Sequence, residues 1–424
     1  MFKTLANAWK VPDLRKKILY TLMMLFVYRL GAHVPIPGVD VAYVADAIGN
    51  SVLFGYMDIF SGGALASLTV FALGIIPYIN ASIIMNLLPM AIPALERMVK
   101  EGPDGRKKIA AITRYLTVVL GLVMAIGIML SLGDGALIEP NLFNKVTIVL
   151  CLTAGTAFIM WIGEKINDGG IGNGISLIIF ISIVSRLPEM GIIMFTTTFM
   201  GVEPRMSYLT FFAILAIMFI VVTGITFVDL GERRIPVQYA KRVVGRKMYG
   251  GQSTYIPMKI NQSGVLPLIF AMTLMQFPAI IVQTFFQDSS FAKFYGNYLQ
   301  AGTWVYAVIY ALLIFFFTFF YTQISFNPVD VSKNIQSNGG FLLGIRPGKP
   351  TSDYLSKILT RVTLFGALFL AMIASVPTLM GSLSAIAGGV FGATSLLIMV
   401  NVSLETTKQI ESQLLMRHYK GFLK

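Results

Sequence analysis

Apolar positions in this chain run in long unbroken blocks separated by short polar segments. Ten blocks stand out, at 18–36, 69–92, 115–132, 146–163, 174–185, 209–228, 264–286, 303–325, 362–380 and 384–400. A helix needs roughly 20 apolar residues to cross the hydrocarbon core, so each block predicts a membrane-spanning helix. The blocks lack the two-residue alternation of a strand barrel. The fifth is short and is expected to extend a little at both ends or to meet thinned bilayer. The stretch Val52–Leu68 differs, because Gly55, Asp58, Gly62 and Gly63 interrupt it and it is too short to cross. It reads as a re-entrant or interfacial segment. The expected fold class is an all-α polytopic membrane protein. The ten spans can be divided into two halves of five, 1–190 with spans one to five and 191–424 with spans six to ten. Five spans per half would make the halves inverted repeats, although no sequence similarity between them is visible.

Composition agrees with this pattern. Of the 424 residues, 56% are hydrophobic and only 12% charged, about half the charged share of a soluble domain. Mean hydropathy is +0.75. The single cysteine, Cys151, excludes an intramolecular disulfide and a thiolate metal cluster, and two histidines, His33 and His418, leave little material for a zinc site. The net charge of +13 is one-sided. Of 33 Lys and Arg, 28 fall in segments 1–17, 93–114, 164–173, 230–263, 326–361 and 401–424. By the positive-inside rule these segments, and with them both termini, are expected to be cytoplasmic. The N-terminus resembles a signal peptide in having basic residues before an apolar run. Arg29 breaks that run and no small-residue cleavage site follows cleanly, so it reads as a retained first helix.

The span interiors exclude other functions. Ion-coupled transporters, the main alternative for a ten-helix chain, keep acids or histidines near the midplane. Here only Arg29 lies deep, with His33 near the outer end of the first span. The bland reading of Arg29 is a snorkelling or carbonyl-paired anchor. No G-x-S-x-G, H-E-x-x-H or Walker A sequence is present, which removes the hydrolase and nucleotidase readings. The run Gly170-Ile-Gly172-Asn-Gly174 has part of a dinucleotide fingerprint. It follows a membrane helix rather than a strand, and reads as a tight turn that lets two helices approach.

Two basic loops are long for topology anchors. In 230–263, alternation around Ile235, Val237 and Tyr239 suggests a short hairpin, with a further turn at Gly250-Gly251. In 326–361, Pro and Gly fix the shape around Gly344-Ile-Arg346-Pro-Gly348. Beyond positive-inside charge, such loops suit docking to something large and anionic, such as ribosomal RNA or an acidic protein patch.

Several motifs taken together resemble the SecY family, channel-forming subunits of the bacterial Sec protein translocase. They are Tyr28-Arg-Leu-Gly-Ala-His-Val-Pro-Ile-Pro-Gly-Val-Asp40, Phe60-Ser-Gly-Gly-Ala-Leu65, Phe71-Ala-Leu-Gly-Ile-Ile-Pro-Tyr-Ile-Asn-Ala-Ser-Ile83-Ile84, Gly170-Ile-Gly-Asn-Gly-Ile-Ser176, Glu232-Arg-Arg-Ile235, Tyr239-Ala-Lys-Arg242 and Gly344-Ile-Arg-Pro-Gly348. The likeness covers nearly the whole chain. One departure is Asn86, where the family commonly carries Gln. The resemblance implies ten helices in two pseudosymmetric, inverted-repeat halves around an hourglass pore. It implies a hydrophobic pore ring of Ile75, Ile79, Ile175, Ile179, Ile269 and Ile398. Ile75/Ile79 and Ile175/Ile179 are i, i+4 pairs that share a helix face, and branched apolar rings can gate by dewetting. The resemblance further implies a plug helix, about 57–68, containing Phe60, Ser61, Gly62, Gly63, Ala64 and Leu65. It implies a lateral gate between the second and seventh spans near Asn80 and Phe277, with Pro77 and Pro278 permitting kinks. Docking of the ribosome or the SecA ATPase would fall to Lys241, Arg242, Arg246, Lys247 and Arg346. Implied partners are also SecE and SecG subunits, signal sequences, unfolded preproteins and the lipid bilayer, with no DNA. No cofactor, metal or catalytic residue is implied, and the expected location is the bacterial cytoplasmic membrane.

Overall fold

The computed structural model describes residues 2–49, 54, 57–58, 61–200, 207–239, 242–244, 247–249, 253–285, 289–299, 303–380 and 393–421. Helices dominate, in the order α1 (Phe2–Lys10), α2 (Pro12–Gly31), α3 (Val41–Gly49), α4 (Ile76–Ala91), α5 (Pro93–Lys100), α6 (Pro103–Leu132), α7 (Leu142–Gly169), α8 (Gly174–Phe199) and α9 (Tyr208–Leu230). Strands β1 (Glu232–Tyr239), β2 (Arg242–Val244), β3 (Lys247–Tyr249) and β4 (Ser253–Lys259) follow. Then come α10 (Leu266–Phe285), α11 (Ser290–Tyr298), α12 (Trp304–Ser325), α13 (Pro328–Ser337), β5 (Gly340–Leu342), α14 (Lys349–Met380) and α15 (Ala393–Gly421). Each of the ten apolar blocks meets a long helix. Among the described residues six are long and apolar enough to span by themselves, or seven if the pair at Ile76–Pro89 and Pro93–Lys100, bent by 96°, counts as one span.

Several boundaries differ from those expected, for local reasons. The first span ends at Gly31 rather than 36. The second starts at Ile76 rather than 69, because residues 69–75 form successive turns: Ala72 N donates to Thr69 O, Gly74 N donates to Phe71 O, and Gly74 sits at φ +56°. Pro77 therefore occupies the first helical turn, where its missing N–H is no loss, and it kinks nothing there. Pro278 does lie inside α10. The fifth helix is far longer than 174–185, running through Pro188 to Phe199, and so passes the expected half-boundary at 190. The start of the tenth block, 384–392, lies outside the described residues.

The chain divides into two compact units. The first comprises Met1–Phe211, Gln276–Ala301 and Val402–Lys424. Its centre is α7, whose Ile148, Leu152, Ile159, Ile162 and Ile166 are buried and which packs against α2, α6 and α8. Arg114 Nε of α6 donates to Glu164 Oε1 of α7 at 2.6 Å. The α7–α8 elbow is the expected tight turn. Asn173 caps α8, its Oδ1 accepting from Ile175 N at 3.1 Å, and Asn167 Oδ1 accepts from Gly174 N at 2.7 Å. Thr21 Oγ1 of α2 accepts from Ile171 N, and Gln409 Oε1 of α15 accepts from Gly172 N. Gly172 has φ +91°. Below the elbow, Ala8, Leu14, Ile171 and Ile410 form a small apolar core.

The second unit comprises Phe212–Met275 and Gly302–Asn401. In it α12 packs along α14, and Phe270 of α10 stacks on Tyr321 of α12 with centroids 4.6 Å apart. Its strands form a three-stranded antiparallel sheet of order β4–β1–β5, with Ile235 opposite Ile256 and Val237 opposite both Thr254 and Leu342. The expected hairpin is thus present, and the other long loop adds a third strand to it.

The elbow generates a stability test. A Cβ at Gly174 would meet the Gly163 carbonyl oxygen at 2.0 Å, whereas one at Gly191 of the same helix meets nothing within 4 Å. Gly174→Ala is expected to cost about 1–3 kcal/mol by overpacking and to lower the thermal midpoint in detergent. Gly191→Ala should leave the midpoint level or raise it.

Candidate functional site

The chemistry-bearing residues of the first unit gather around the glycine-rich segment between α3 and α4. In it Phe54, Met57, Asp58 and the residues from Ser61 onward are described; Phe60 lies outside the described residues. Ser61, Gly62, Ala64 and Leu65 are buried and Gly63 is half-buried. The turn is built by Asp58. Its backbone carbonyl accepts from Gly63 N at 3.0 Å, and its Oδ1 accepts from Ala66 N at 2.8 Å. Ser61 Oγ donates to Asp58 O and accepts from Leu65 N. Gly62 and Gly63 carry φ +69° and +91°, a conformation side chains resist.

Two spans receive this turn. Arg29 Nη1 of α2 donates to Gly62 O at 3.0 Å, so the carbonyl-paired reading of Arg29 holds and its carbonyl belongs to the glycine segment. Arg186 of α8 forms an ion pair with Asp58 and a longer one, 3.4 Å, with Glu189. Tyr28 of α2 and Ser182 of α8 are joined at 2.7 Å; the serine hydroxyl donates to Ile178 O, which leaves the phenol as donor between them. A Cβ on Gly62 would crowd the Ser182 backbone at 3.1 Å. In the sequence Asp58 reads only as a break in the apolar stretch 52–68, and Arg186 carries no reading of its own. The available signal was an acid inside a glycine-rich apolar segment and a lone arginine in an apolar helix.

The chain leaving the turn is seated just as closely. Ile36 N donates to Leu68 O, and Val70 N donates to Val34 O. Phe71 lies over Gly31, where a Cβ would meet its ring at 2.1 Å, and stacks between Tyr28 and Phe158. A Cβ at Gly155 of α7 would meet Val70 O at 1.8 Å. Small residues at these positions let irregular backbone lie against helices.

Of the expected pore residues, Ile75, Ile79, Ile175 and Ile179 belong to the first unit and Ile269 and Ile398 to the second. Ile75 caps α4 from outside the helix, Ile79 lies one turn on, and Ile175 and Ile179 lie in the first turns of α8. Ile75, Ile179 and Ile398 are buried; Ile79, Ile175 and Ile269 are half-buried. Asn80 is 5% exposed, and its side-chain oxygen has no hydrogen-bond partner among the described residues. Phe277 lies on α10, but its side chain is outside the described residues.

In the second unit, Arg346 is exposed on an ordered loop. Its carbonyl accepts from Thr351 Oγ1 at 2.9 Å, Gly348 O accepts from Ser332 Oγ at 2.7 Å, and Gly344 and Gly348 have positive φ. Beneath the sheet, Ile235, Val237, Met258, Ile335, Leu342, Leu355 and Leu359 form an apolar core. Arg234 hydrogen-bonds Glu232 at 2.6 Å and lies over the Tyr255 ring; that hydrogen bond holds its pKa above the ordinary guanidinium value. The backbones of Arg242 and Lys247 lie in β2 and β3, whereas Lys241 and Arg246 fall outside the described residues.

Comparison with known proteins decides the family. The family model described as SecY matches residues 69–407. The chain belongs to the SecY family. It is 47% identical over 442 residues to the protein translocase subunit SecY of Streptomyces galbus, and 43% identical over 451 residues to that of Mycobacterium tuberculosis, with all of both chains covered in each case. A solved structure of a protein-conducting channel matches with TM-score 0.67 at 17% identity, covering 94% of this chain and 92% of that one. Sec61 from a canine ribosome-channel complex of the endoplasmic reticulum matches with TM-score 0.65 at 17% identity and the same coverage. These distant structures carry the fold, that of an all-α polytopic membrane protein. The activity that goes with membership in this family is that of a channel, not of a catalyst.

The turn generates a second test. Gly62→Ala forces a side chain into the left-handed region and against α8, and is expected to cost about 1–2 kcal/mol. Thermal inactivation in detergent should fall in midpoint, while Gly224→Ala, with nothing within 4 Å of the added carbon, should not lower it.

Proposed function

We propose that this chain is a passive protein-conducting channel of the bacterial cytoplasmic membrane. It passes unfolded secretory polypeptides across and releases transmembrane segments sideways into lipid. Full-length membership of the SecY family carries the reading. In this proposal the Met57–Leu68 segment is the plug, held in the idle state by its contacts with α2 and α8. The isoleucines at 75, 79, 175, 179, 269 and 398 form the constriction, and Asn80 and Phe277 flank the lateral gate. The buried side-chain oxygen of Asn80, without a partner among the described residues, supports a gate position, since a polar group there weakens apolar closure. Both termini are cytoplasmic, in keeping with the one-sided basic segments. The two five-span halves form a pseudosymmetric pair around the pore, the first ending with α8 at Phe199 rather than at residue 190.

Energy comes from partners, SecA or the ribosome, which dock on the basic loops through Lys241, Arg242, Arg246, Lys247 and Arg346. The exposure of Arg346 on a loop pinned from both sides supports a docking role. SecE and SecG complete the assembly.

The deciding experiment reconstitutes the chain with SecE, SecA and ATP in proteoliposomes and scores protease protection of a secretory precursor. Protection that needs both ATP and this chain supports the channel. No protection, together with uphill uptake of a small solute, replaces it with a transporter. Two variants probe the parts. Ile79→Gly or Ile175→Gly should make the resting channel leak ions in planar bilayers, and unchanged conductance would remove these residues from the constriction. Arg346→Glu should reduce export roughly tenfold, as for loss of a charge-assisted contact of about 1.5 kcal/mol, with folded yield preserved. Normal export would remove the docking role.

A further inference from the structure

The acid of the glycine segment does two separate jobs. Asp58 Oδ1 organises the turn through Ala66 N and, at 3.3 Å, Ser61 Oγ. Asp58 Oδ2 reaches out of the turn to the Arg186 guanidinium of α8. The pair is largely shielded from water, with side-chain exposures of 8% for Asp58 and 19% for Arg186. Gly63 is part of the arrangement, since a Cβ there would stand 3.3 Å from Arg186 Nε and Nη2. The arginine has a second acid within reach. Glu189, one helical turn further along α8, approaches Arg186 Nη1 at 3.4 Å and is 61% exposed. The seated arrangement is also incompletely satisfied. Arg186 Nε is buried with no hydrogen-bond partner among the described residues.

We propose that Asp58 and Arg186 form an ionic latch that sets the threshold for displacing the segment, and that Glu189 takes over the arginine when the segment leaves. This rests on reading Met57–Leu68 as a plug. A shielded ion pair is strong only while water is excluded. Displacement hydrates Asp58 and leaves Arg186 paired with an acid that already faces solvent, so neither charge is stranded and the segment can return. The two acids therefore act in opposite directions on one arginine: Asp58 favours the seated state, Glu189 the released one. The neutral contacts of Gly62, Tyr28 and Ser182 fix the shape of the seat, and the ion pair adds a hold that charge alone controls.

The test uses the full channel assembly in planar bilayers, reading resting ion conductance, and in cells, reading export of a precursor with a weakened signal sequence. Asp58→Asn keeps the Oδ1 acceptor for Ala66 N and so preserves the turn while removing the charge. It and Arg186→Gln are each expected to raise resting opening about tenfold, the equivalent of about 1.4 kcal/mol, and to rescue the weakened signal. The double variant should be no more open than either single one, because both remove the same interaction. Arg186→Lys should restore closure, and Glu189→Gln should lower opening below the parent. An additive double variant, or Glu189→Gln opening the channel, would overturn the latch. Deletion of residues 57–68 separates the two readings. If the deletion leaks and the charge variants do not, the latch fails and the plug stands. If the deletion leaves conductance unchanged, the plug reading fails and the latch with it.

Discussion

In hydrocarbon or in a dry protein interior, every backbone N–H and C=O needs a partner within the protein. Helices meet this demand internally; the stretch from Ser61 to Ile75 does not, and much of the first unit is arranged to meet it. Its amides and carbonyls are taken up by its own turns, by the extended residues after α2, by the Asp58 carboxylate and by the Arg29 guanidinium. The demand explains why an arginine stands in the last turn of the first span, beside the glycine segment. It also explains why glycines line the seat on both sides. A carbonyl such as that of Val70 can lie against α7 only where Gly155 offers no side chain. Leu68 is held at φ +36°, a strained value for a residue with a Cβ, with Ile36 N fixed to its carbonyl.

The same economy of side chains governs the α7–α8 elbow. Gly174 brings the start of α8 onto Gly163 of α7, and Gly170 faces Thr21 of α2. Amides freed by the sharp turn are not left to solvent. They are caught by Thr21, Asn167, Asn173 and Gln409, side chains from three separate parts of the sequence. A turn held from so many directions fixes how α8 leaves it, and α8 is the helix that carries both Ser182 and Arg186.

Much of this was legible in the chain itself. Long apolar blocks have few physical outcomes in a protein with so little charge, so the spans could be placed before their ends were known. The ends were less legible. Pro77 looks like a kink within a block that starts at residue 69, and only the turn at Gly74 reveals it as a helix start. The short fifth block hid a helix running on to Phe199, because Arg186, Pro188 and Glu189 break the apolar run without breaking the helix. The hairpin at Ile235 could be read from local alternation, since both its strands lie in one loop. Its third strand could not, because β5 is only three residues long and comes from a loop far along the chain. The Asp58–Arg186 pair was hidden for the same reason: two ordinary charges far apart in sequence acquire meaning only when the fold brings them together.

That third strand bears on how the protein is made. β1 can pair with β4 as soon as their loop has been synthesised, but β5 does not exist until α10, α11, α12 and α13 have been translated. The apolar core beneath the sheet waits longer still, since Leu355 and Leu359 come from α14. Domains assemble in the order in which their parts emerge. An unfinished copy therefore carries an incomplete sheet with a bare edge and an uncovered underside. The basic face that would receive a partner matures only when most of the membrane domain has been made, and a half-built chain presents a different surface from a finished one.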